Sequence, residues 1–124
     1  MPVFLDFTGY ACVNCRKMEE HVWVKEDVYA ILSKEYVVIS LYVDDKTELP
    51  ENEQVTLTFK TGGQKKIRTK GDKWAFFQTD TFNNNSQPWY ALLTNTGTLL
   101  NTPVGYTPEV KDYVNFLQCG LDAY

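Results

Sequence analysis

Two cysteines separated by two residues, Cys12 and Cys15, indicate thiol chemistry in this sequence. The residues that follow Cys12 as far as Trp23 are good helix formers without Gly or Pro, so we expect a helix to begin at or near Cys12. Unpaired N–H groups and the positive end of the helix dipole then stabilise a thiolate there. Because the thiolate is the attacking species in disulfide exchange, Cys12 is the predicted nucleophile. Cys15, one turn deeper, is predicted to resolve the mixed disulfide.

Two other interpretations of the pair stay open at this point. A zinc site uses cysteines at the same spacing, but it needs two more ligands, and only Cys119 and His21 remain in the chain. A purely structural disulfide is the second, although so short a loop gains little from closure. Exchange chemistry without a metal or other cofactor is therefore the favoured interpretation. Cys119, near the end of the last predicted helix, is predicted to be an exposed thiol without a catalytic role.

Short apolar runs, typical of strands, alternate with amphipathic stretches, typical of helices, and this order predicts an α/β domain. Strands are predicted over residues 3–7, 36–43, 89–93 and 98–100. Helices are predicted from Cys12, over residues 25–34, over residues 74–82, and from a cap at Thr107 with Pro108 at the first helical position.

Length and composition predict one globular domain over residues 1–124. A chain of 124 residues supports one hydrophobic core, and 44% hydrophobic residues with 15% aromatic residues are enough to build it. The net charge of −4 and the scattering of basic residues among acids argue against a nucleic-acid partner. No stretch approaches the 18 or so apolar residues of a membrane span, so we expect no direct membrane insertion of this fragment.

Residues 46–73 interrupt the alternation of strands and helices, and we interpret them as an insertion. Apolar and polar side chains alternate over residues 54–60, and Gly62-Gly63 leads into a second run at residues 64–69. This pattern predicts a hairpin with one polar face. The hairpin could shield the site, bind a partner or extend the sheet, and the alternation fits all three.

The order of a strand with Asp6, five residues, Cys-X-X-Cys at a helix start and a later X-Pro before a strand resembles the thioredoxin superfamily. Within it, the run from Val3 to Glu19 is most similar to the carboxy-terminal periplasmic domains of DsbD-type thiol:disulfide interchange proteins. The similarity covers residues 3–45 and about 86–121. It implies a thioredoxin-like fold with a central mixed sheet flanked by helices. It also implies that the usual first strand and helix are truncated, which leaves an exposed sheet edge for a dimer.

The resemblance assigns roles to residues around the two cysteines. Asp6 matches a buried acid beneath the dithiol that assists proton transfer at the deeper cysteine, and independently a carboxyl in an apolar strand should have a raised pKa. Glu19 lies on the same helical face as Cys12 and matches an acid that keeps the attacking thiol less ionised. Pro88 matches a cis-proline that presents backbone to a substrate chain.

Tyr10 and Gln87 complete the predicted substrate-binding set with Pro88. The chain departs from the family beside Tyr10, because Ala11 precedes Cys12 where thioredoxins usually carry Trp. The aromatic ring of the family must therefore be supplied differently here.

The residues around the pair favour a reductant. Strong oxidants have a very acidic first cysteine, which a basic residue between the cysteines favours, whereas Val13 and Asn14 stand between them here. Asp6 and Glu19 add negative charge that disfavours a thiolate.

The resemblance further implies a bacterial periplasmic domain of an inner-membrane protein, with a role in cytochrome c biogenesis. Electrons would arrive from an upstream membrane-embedded domain of the same polypeptide. They would leave to thioredoxin-like or other disulfide-containing proteins. The alternative is a redox-inert thioredoxin-like docking module, against which the intact dithiol argues.

Overall fold

Strands and helices alternate along the chain in the computed structural model, which describes residues 1–124. In chain order the elements are β1 (Val3–Thr8), α1 (Val13–His21), α2 (Glu26–Glu35), β2 (Val37–Tyr42), β3 (Val55–Thr58), β4 (Gln64–Ile67), α3 (Lys70–Phe82), β5 (Trp89–Leu93) and α4 (Val110–Ala123). A short 3-10 turn covers Glu51–Glu53. No helix combines the length and the hydropathy that a membrane crossing requires.

β1 is the central strand of a three-stranded mixed sheet with the order β2-β1-β5. It pairs in parallel with β2, where Asp6 lies opposite Ser40, and antiparallel with β5, where Phe7 lies opposite Trp89. The carboxyl ends of β1 and β2 therefore meet the amino end of β5 at one edge of the sheet. The loops that leave this edge carry the cysteine pair and the predicted cis-proline.

Helices cover both faces of this sheet, because successive side chains of β1 point to opposite faces. Phe4 belongs to a core that the sheet forms with α1, α2 and α4, where it stacks on Tyr90 with ring centroids 5.4 Å apart. Leu5 and Phe7 belong to a second core, against which aromatic residues of α3 pack. β1 is thus buried on both faces, as its continuous apolar run predicts. This is the thioredoxin-like α/β architecture expected from the sequence.

The predicted hairpin forms, as a separate two-stranded sheet of β3 and β4. Gly62 makes the turn possible, since its φ of 102° is strained for other residues. Phe59 packs on Phe76 of α3 with ring centroids 4.6 Å apart, and the Lys60 N–H donates to the Asp80 carboxylate at 2.8 Å. The hairpin therefore docks on α3 and does not extend the central sheet.

α3 begins at Lys70, earlier than the predicted start at Trp74. Thr69 is its N-cap: the Thr69 Oγ1 accepts the Asp72 N–H at 3.1 Å, and the Asp72 carboxylate accepts the Thr69 N–H at 3.2 Å. This reciprocal capping box satisfies N–H groups that the helix itself leaves unpaired. The predicted boundary was too late because it relied on the apolar residues and ignored the Thr-x-x-Asp spacing.

The first turn of α3 lies against the chain that follows β2. The Gly71 N–H donates to the Asp45 carbonyl oxygen at 2.9 Å. A Cβ at position 71 would lie 2.6 to 2.7 Å from backbone atoms of Val43 and Asp45, closer than real Cβ atoms approach. Glycine is therefore what allows α3 to approach the end of β2.

The strand predicted over residues 98–100 is wrong. The structure has only an isolated bridge between Leu99 and Leu93 at this point. A second isolated bridge joins Val104 to Tyr90. Five positions from Leu99 to Val104 lie opposite three positions from Leu93 to Tyr90, so the register shifts between the two bridges and no regular ladder forms beside β5.

The predicted start of the last helix is also wrong. α4 begins at Val110 with Glu109 as its N-cap residue, and no side chain caps it. The Thr107 hydroxyl, predicted to cap the helix, donates instead to the Gly105 carbonyl oxygen at 3.0 Å. Thr107 thus stabilises a turn before the helix, and Pro108 lies outside α4.

The outer edge of β2 has no neighbouring strand. Three consecutive apolar residues on β2 are 40 to 43% exposed: Val37, Val38 and Ile39. Lys and Pro, which commonly protect sheet edges, are absent from this strand. An exposed sheet edge is thus present, and its pairing with a second copy stays a prediction.

Substituting Thr69→Ala should lower the free energy of unfolding by about 1 kcal/mol, because the first turn of α3 loses its side-chain cap. Urea unfolding measures this loss. Thr81→Ala, at an exposed position of the same helix, is the control and should change stability by less than about 0.5 kcal/mol. Equal losses in the two variants would contradict the capping role.

Candidate functional site

Cys12 and Cys15 form a disulfide at the start of α1, with Cα atoms 5.2 Å apart. Cys12 is the N-cap residue: its backbone is extended, with φ −86° and ψ 107°, and its Sγ accepts the Cys15 N–H at 3.2 Å. Cys12 is partly exposed, whereas only 2% of Cys15 is exposed. A partner's sulfur can therefore reach Cys12 but not Cys15, which is the arrangement that the predicted roles require.

The other two residues considered as metal ligands are both exposed. His21 ends α1, and Cys119 lies on α4 as a free thiol. No three His, Cys, Asp or Glu side chains come together in a group that could hold a metal ion.

The Asp44 carboxylate holds the loop in front of Cys12. Its oxygens accept the N–H groups of Tyr10 at 2.9 Å and Ala11 at 3.1 Å, and the Cys12 N–H donates to the Gly9 carbonyl oxygen at 3.3 Å. Burial alone would raise the pKa of Asp44, but the N–H donors outweigh it and hold that pKa below its usual value. Asp44 is therefore ionised at neutral pH and fixes the chain that enters α1.

Sequence analysis missed Asp44 because Asp44-Asp45 reads only as the end of a strand. The available signal was topological. A carboxylate directly after β2 must come close to the loop after β1, since parallel neighbours end at the same edge of a sheet.

Tyr10 presents an aromatic ring beside this loop. It stacks on Tyr42, the last residue of β2, with ring centroids 4.1 Å apart and an angle of 18° between the planes. Tyr10 remains 62% exposed. An exposed aromatic surface therefore lies two residues before Cys12, and its contact with a substrate stays a prediction.

Asp6 is the buried acid of the site, with 2% of the residue exposed. It lies opposite Ser40 on β2, whose hydroxyl donates to the Asp6 Oδ2 at 2.9 Å. Burial raises the pKa of Asp6 to about 6; the hydrogen bond from Ser40 opposes this rise, the Glu19 carboxylate adds to it, and the Arg16 guanidinium opposes it. The raised pKa expected from the sequence is confirmed. Such a carboxyl can exchange a proton near neutral pH.

Arg16 connects α1 to the end of β1. Its Nη2 donates to the Glu19 Oε2 at 2.9 Å, to the Thr8 Oγ1 at 3.2 Å and to the Gly9 carbonyl oxygen at 3.3 Å. The negative charge of Glu19, predicted to hold back ionisation of Cys12, is thus balanced by a cation. Sequence analysis did not consider Arg16, although the spacing of three residues between Arg16 and Glu19 signals a pair on one helix face.

Pro88 lies at the same sheet edge as the cysteine loop. The Gln87–Pro88 peptide bond is cis, as the resemblance implies. Pro88 is buried and directly precedes Trp89, which pairs with Phe7 near the end of β1. This register brings Pro88 beside the loop that leads to Cys12.

The Gln87 side chain is turned into its own loop. Its Nε2 donates to the Gln78 Oε1 at 2.8 Å and to the Asn85 carbonyl oxygen at 3.2 Å. A contact between Gln87 and a substrate would therefore use its backbone rather than its amide. Gln78, which sequence analysis did not single out, is wholly buried on α3.

A family model for a thioredoxin-like domain matches residues 1–118 of the chain. Comparison with curated protein sequences gives no significant match.

Three solved structures share the fold at low sequence identity. A DsbH oxidoreductase has a TM-score of 0.65 at 16% identity, over 98% of this chain and 72% of that chain. A thioredoxin-fold protein from Helicobacter pylori has a TM-score of 0.64 at 14% identity, over 94% of this chain and 66% of that chain. The C-terminal domain of Neisseria meningitidis DsbD in the reduced form has a TM-score of 0.56 at 14% identity, over 94% and 78% of the two chains. At these identities the likeness shows the fold alone.

Substituting Asp6→Asn should change how stability depends on pH. The Asp6 carboxyl has a higher pKa in the folded chain, about 6, than its ordinary value of 3.8, so the folded form binds the proton more tightly. Wild-type stability should therefore fall as pH rises from about 4 to about 6, by at most about 3 kcal/mol. The Asn variant should lack this fall.

Urea unfolding of the disulfide form between pH 4 and pH 7 measures the effect. Glu20→Gln, at an exposed position of α1, is the control and should keep the wild-type pH dependence. A wild-type stability that does not fall over this range, or an Asn variant that keeps the fall, would contradict the raised pKa.

Proposed function

Because the chain belongs to the thioredoxin-like family, we propose that it is a protein-disulfide reductase that works by dithiol/disulfide exchange at Cys12 and Cys15. The observation that carries the proposal is the pair itself: a partly exposed sulfur at the N-cap of α1 and a buried one, in a disulfide. The fold and the pair support thiol:disulfide oxidoreductase chemistry in general. The direction of electron flow and the identity of the partners are the further steps proposed here.

The reductive half begins with the Cys12 thiolate attacking a disulfide of the partner protein. A bond forms between the Cys12 Sγ and one partner sulfur, and the partner's S–S bond breaks and releases a thiolate. The Cys15 thiol then loses its proton and attacks the Cys12 Sγ. The intramolecular disulfide forms, the second partner thiolate leaves, and two electrons have passed to the partner.

Two features of the structure support this sequence of steps. The N-cap position of Cys12 places its sulfur at the positive end of the α1 dipole, which favours the thiolate. Burial disfavours a thiolate at Cys15, so its deprotonation requires a base. Asp6, with a pKa of about 6, is the proposed acceptor of that proton, and it stands on the sheet against which α1 packs.

The surroundings of the pair suit a polypeptide partner rather than a small molecule. None of the five surface cavities is lined by Cys12, Cys15 or Pro88. The exposed residues on either side of Cys12 are all uncharged: Tyr10, Ala11, Val13 and Asn14. The two large apolar ones, Tyr10 and Val13, are 62% and 67% exposed. An extended segment that passes over this surface would meet Cys12 with its own cysteine and the backbone before Pro88 with its main chain.

We further propose that a membrane-embedded domain upstream in the same polypeptide supplies the electrons, in the bacterial periplasm, and that thioredoxin-like proteins receive them, as in cytochrome c biogenesis. The basis of this placement is the resemblance of residues 3–19 to DsbD-type domains, and the fold shared with the C-terminal domain of Neisseria meningitidis DsbD is consistent with it. Re-reduction then runs the same exchange backwards, with a donor dithiol attacking the Cys12–Cys15 disulfide.

The reduction potential of the pair is expected to lie near about −270 mV, in the range of thioredoxin-like reductants, because no cation stands between the cysteines and the Asp6 carboxylate adds negative charge beneath them, whereas Arg16 offsets the charge of Glu19. Equilibration with a dithiothreitol series, followed by alkylation and mass spectrometry, measures it. A potential near about −120 mV would make the chain an oxidant and reverse the proposed electron flow. A pair that fails to cycle would leave the docking-module interpretation.

The two cysteines should behave differently when substituted. Cys12→Ser should abolish reduction of insulin disulfides, whereas Cys15→Ser should trap a mixed disulfide through Cys12, because the resolving thiol is missing. Non-reducing mass spectrometry detects the trapped species. Cys119→Ser is the control, since this thiol is free and exposed, and it should leave exchange intact. Equal trapping by the Cys12 and Cys15 variants would overturn the assignment.

A further inference from the structure

Gln78 is a polar residue of α3 with 0% of its surface exposed. Its Nε2 donates to the Asn84 Oδ1 at 2.9 Å and to the Ser86 carbonyl oxygen at 2.8 Å, and its Oε1 accepts the Gln87 Nε2 at 2.8 Å. Both N–H groups of the amide are therefore used, and its oxygen is satisfied. All three partners lie in the loop that precedes Pro88.

This loop, residues 84–88, depends on side chains for its shape. None of the backbone–backbone hydrogen bonds outside the helices and strands involves these residues. Within the loop, the Asn84 Oδ1 also accepts the N–H and the hydroxyl of Ser86, at 3.0 and 3.1 Å. Gln78 makes every side-chain hydrogen bond that joins residues 84–87 to the body of α3.

Filling of the core does not explain a glutamine at this position. Burying an amide is costly unless it is hydrogen-bonded, and an unbranched apolar side chain such as Met would fill a similar volume without that cost. The nearby α3 residues Phe77 and Phe82 pack on Phe7 as an apolar core demands. The hydrogen bonds of Gln78 to the loop therefore account for its presence.

We propose that Gln78 is a positioning residue for partner recognition. It holds the backbone of residues 84–87, and with it Pro88, in the place where a polypeptide partner must lie to bring its disulfide to Cys12. The proposal rests on the proposed function, because a positioned loop matters only if a protein docks there. Gln78 itself touches neither the cysteines nor the partner.

Substituting Gln78→Met should raise KM for insulin disulfides about tenfold and leave kcat nearly unchanged, because the loop must be ordered anew each time a partner binds. The assay is steady-state insulin reduction with dithiothreitol as the electron source. The rate of Cys12 alkylation by iodoacetamide, which needs no docked chain, should stay within about twofold of wild type. Amide hydrogen exchange at residues 84–87 should become faster.

Two further variants serve as a control and as a test of the bond between Gln78 and Gln87. Gln118→Met, on α4, removes an amide that makes a similar hydrogen bond, to Asp122 at 3.1 Å, but on an exposed surface; it should change neither KM nor loop exchange. Gln87→Met removes the loop side of the bond to Gln78 without disturbing the core. Because Gln78→Met already removes the bond to Gln87, the Gln78→Met, Gln87→Met double variant should have about the KM of Gln78→Met alone. Gln87→Met alone keeps the bonds of Gln78 to Asn84 and Ser86 and should raise KM less.

Three outcomes would overturn the proposal. An unchanged KM together with unchanged exchange at residues 84–87 would show that Gln78 positions nothing. A higher KM together with a lower kcat and slower alkylation of Cys12 would show general damage to the fold. Additive effects of the Gln78 and Gln87 substitutions would assign Gln87 an independent contact with the partner. A wild-type chain that does not reduce insulin would instead contradict the proposed function, and the exchange measurement would still decide whether Gln78 orders the loop.

Discussion

The pairing of β1 with a parallel neighbour on one side and an antiparallel neighbour on the other is the constraint on which the site depends. It brings the end of β1, the end of β2 and the beginning of β5 to one edge of the sheet. Each of these ends contributes one part: Cys12 on the chain after β1, Asp44 after β2, and Pro88 before β5. These three residues are far apart in the sequence, and only this register brings them together in space. A shift of either strand pairing would therefore separate them.

The charged residues of the site include a cation: buried Asp6 is accompanied by the partly exposed pair of Arg16 and Glu19. Asp6 and Glu19 bring two carboxyl groups close to the dithiol, and Arg16 lies between Glu19 and the end of β1. Burial is the dominant cause of the raised pKa of Asp6; the hydrogen bond from Ser40 opposes the rise most, and Arg16 opposes it less. The result is a buried carboxyl with a pKa of about 6, which suits the proton transfer proposed for it.

The sequence predicted those features that depend on the spacing and hydrophobicity of neighbouring residues. The spacing of the cysteines, the apolar run around Asp6 and the alternation over residues 54–60 were sufficient for the disulfide at the start of α1, the buried carboxyl and the hairpin. The assignment of Cys12 as the nucleophile stays a prediction. Asp44, Arg16 and Gln78 were not predicted, because each acts through contacts that exist only after the strands have paired and α3 has docked. A strand over residues 98–100 was predicted where only an isolated bridge to β5 forms, since periodicity reports propensity and not a constant register with the neighbouring strand.

α3 has a consequence for which changes in chain length the molecule tolerates. Its first turn is held at the end of β2 by the close approach of Gly71, and further along the same helix Gln78 holds the loop before Pro88. The stretch from Gly71 to Gln78, about 10 Å at 1.5 Å per residue, therefore fixes the distance between the end of β2 and the loop before Pro88. One inserted residue there would rotate Gln78 by about 100° around the helix axis and away from its partners. Gly62, in the turn of the β3–β4 hairpin, is exposed, and a Cβ at that position would have no atom within 4 Å. Insertions and deletions should therefore accumulate at Gly62 and be excluded from this segment of α3.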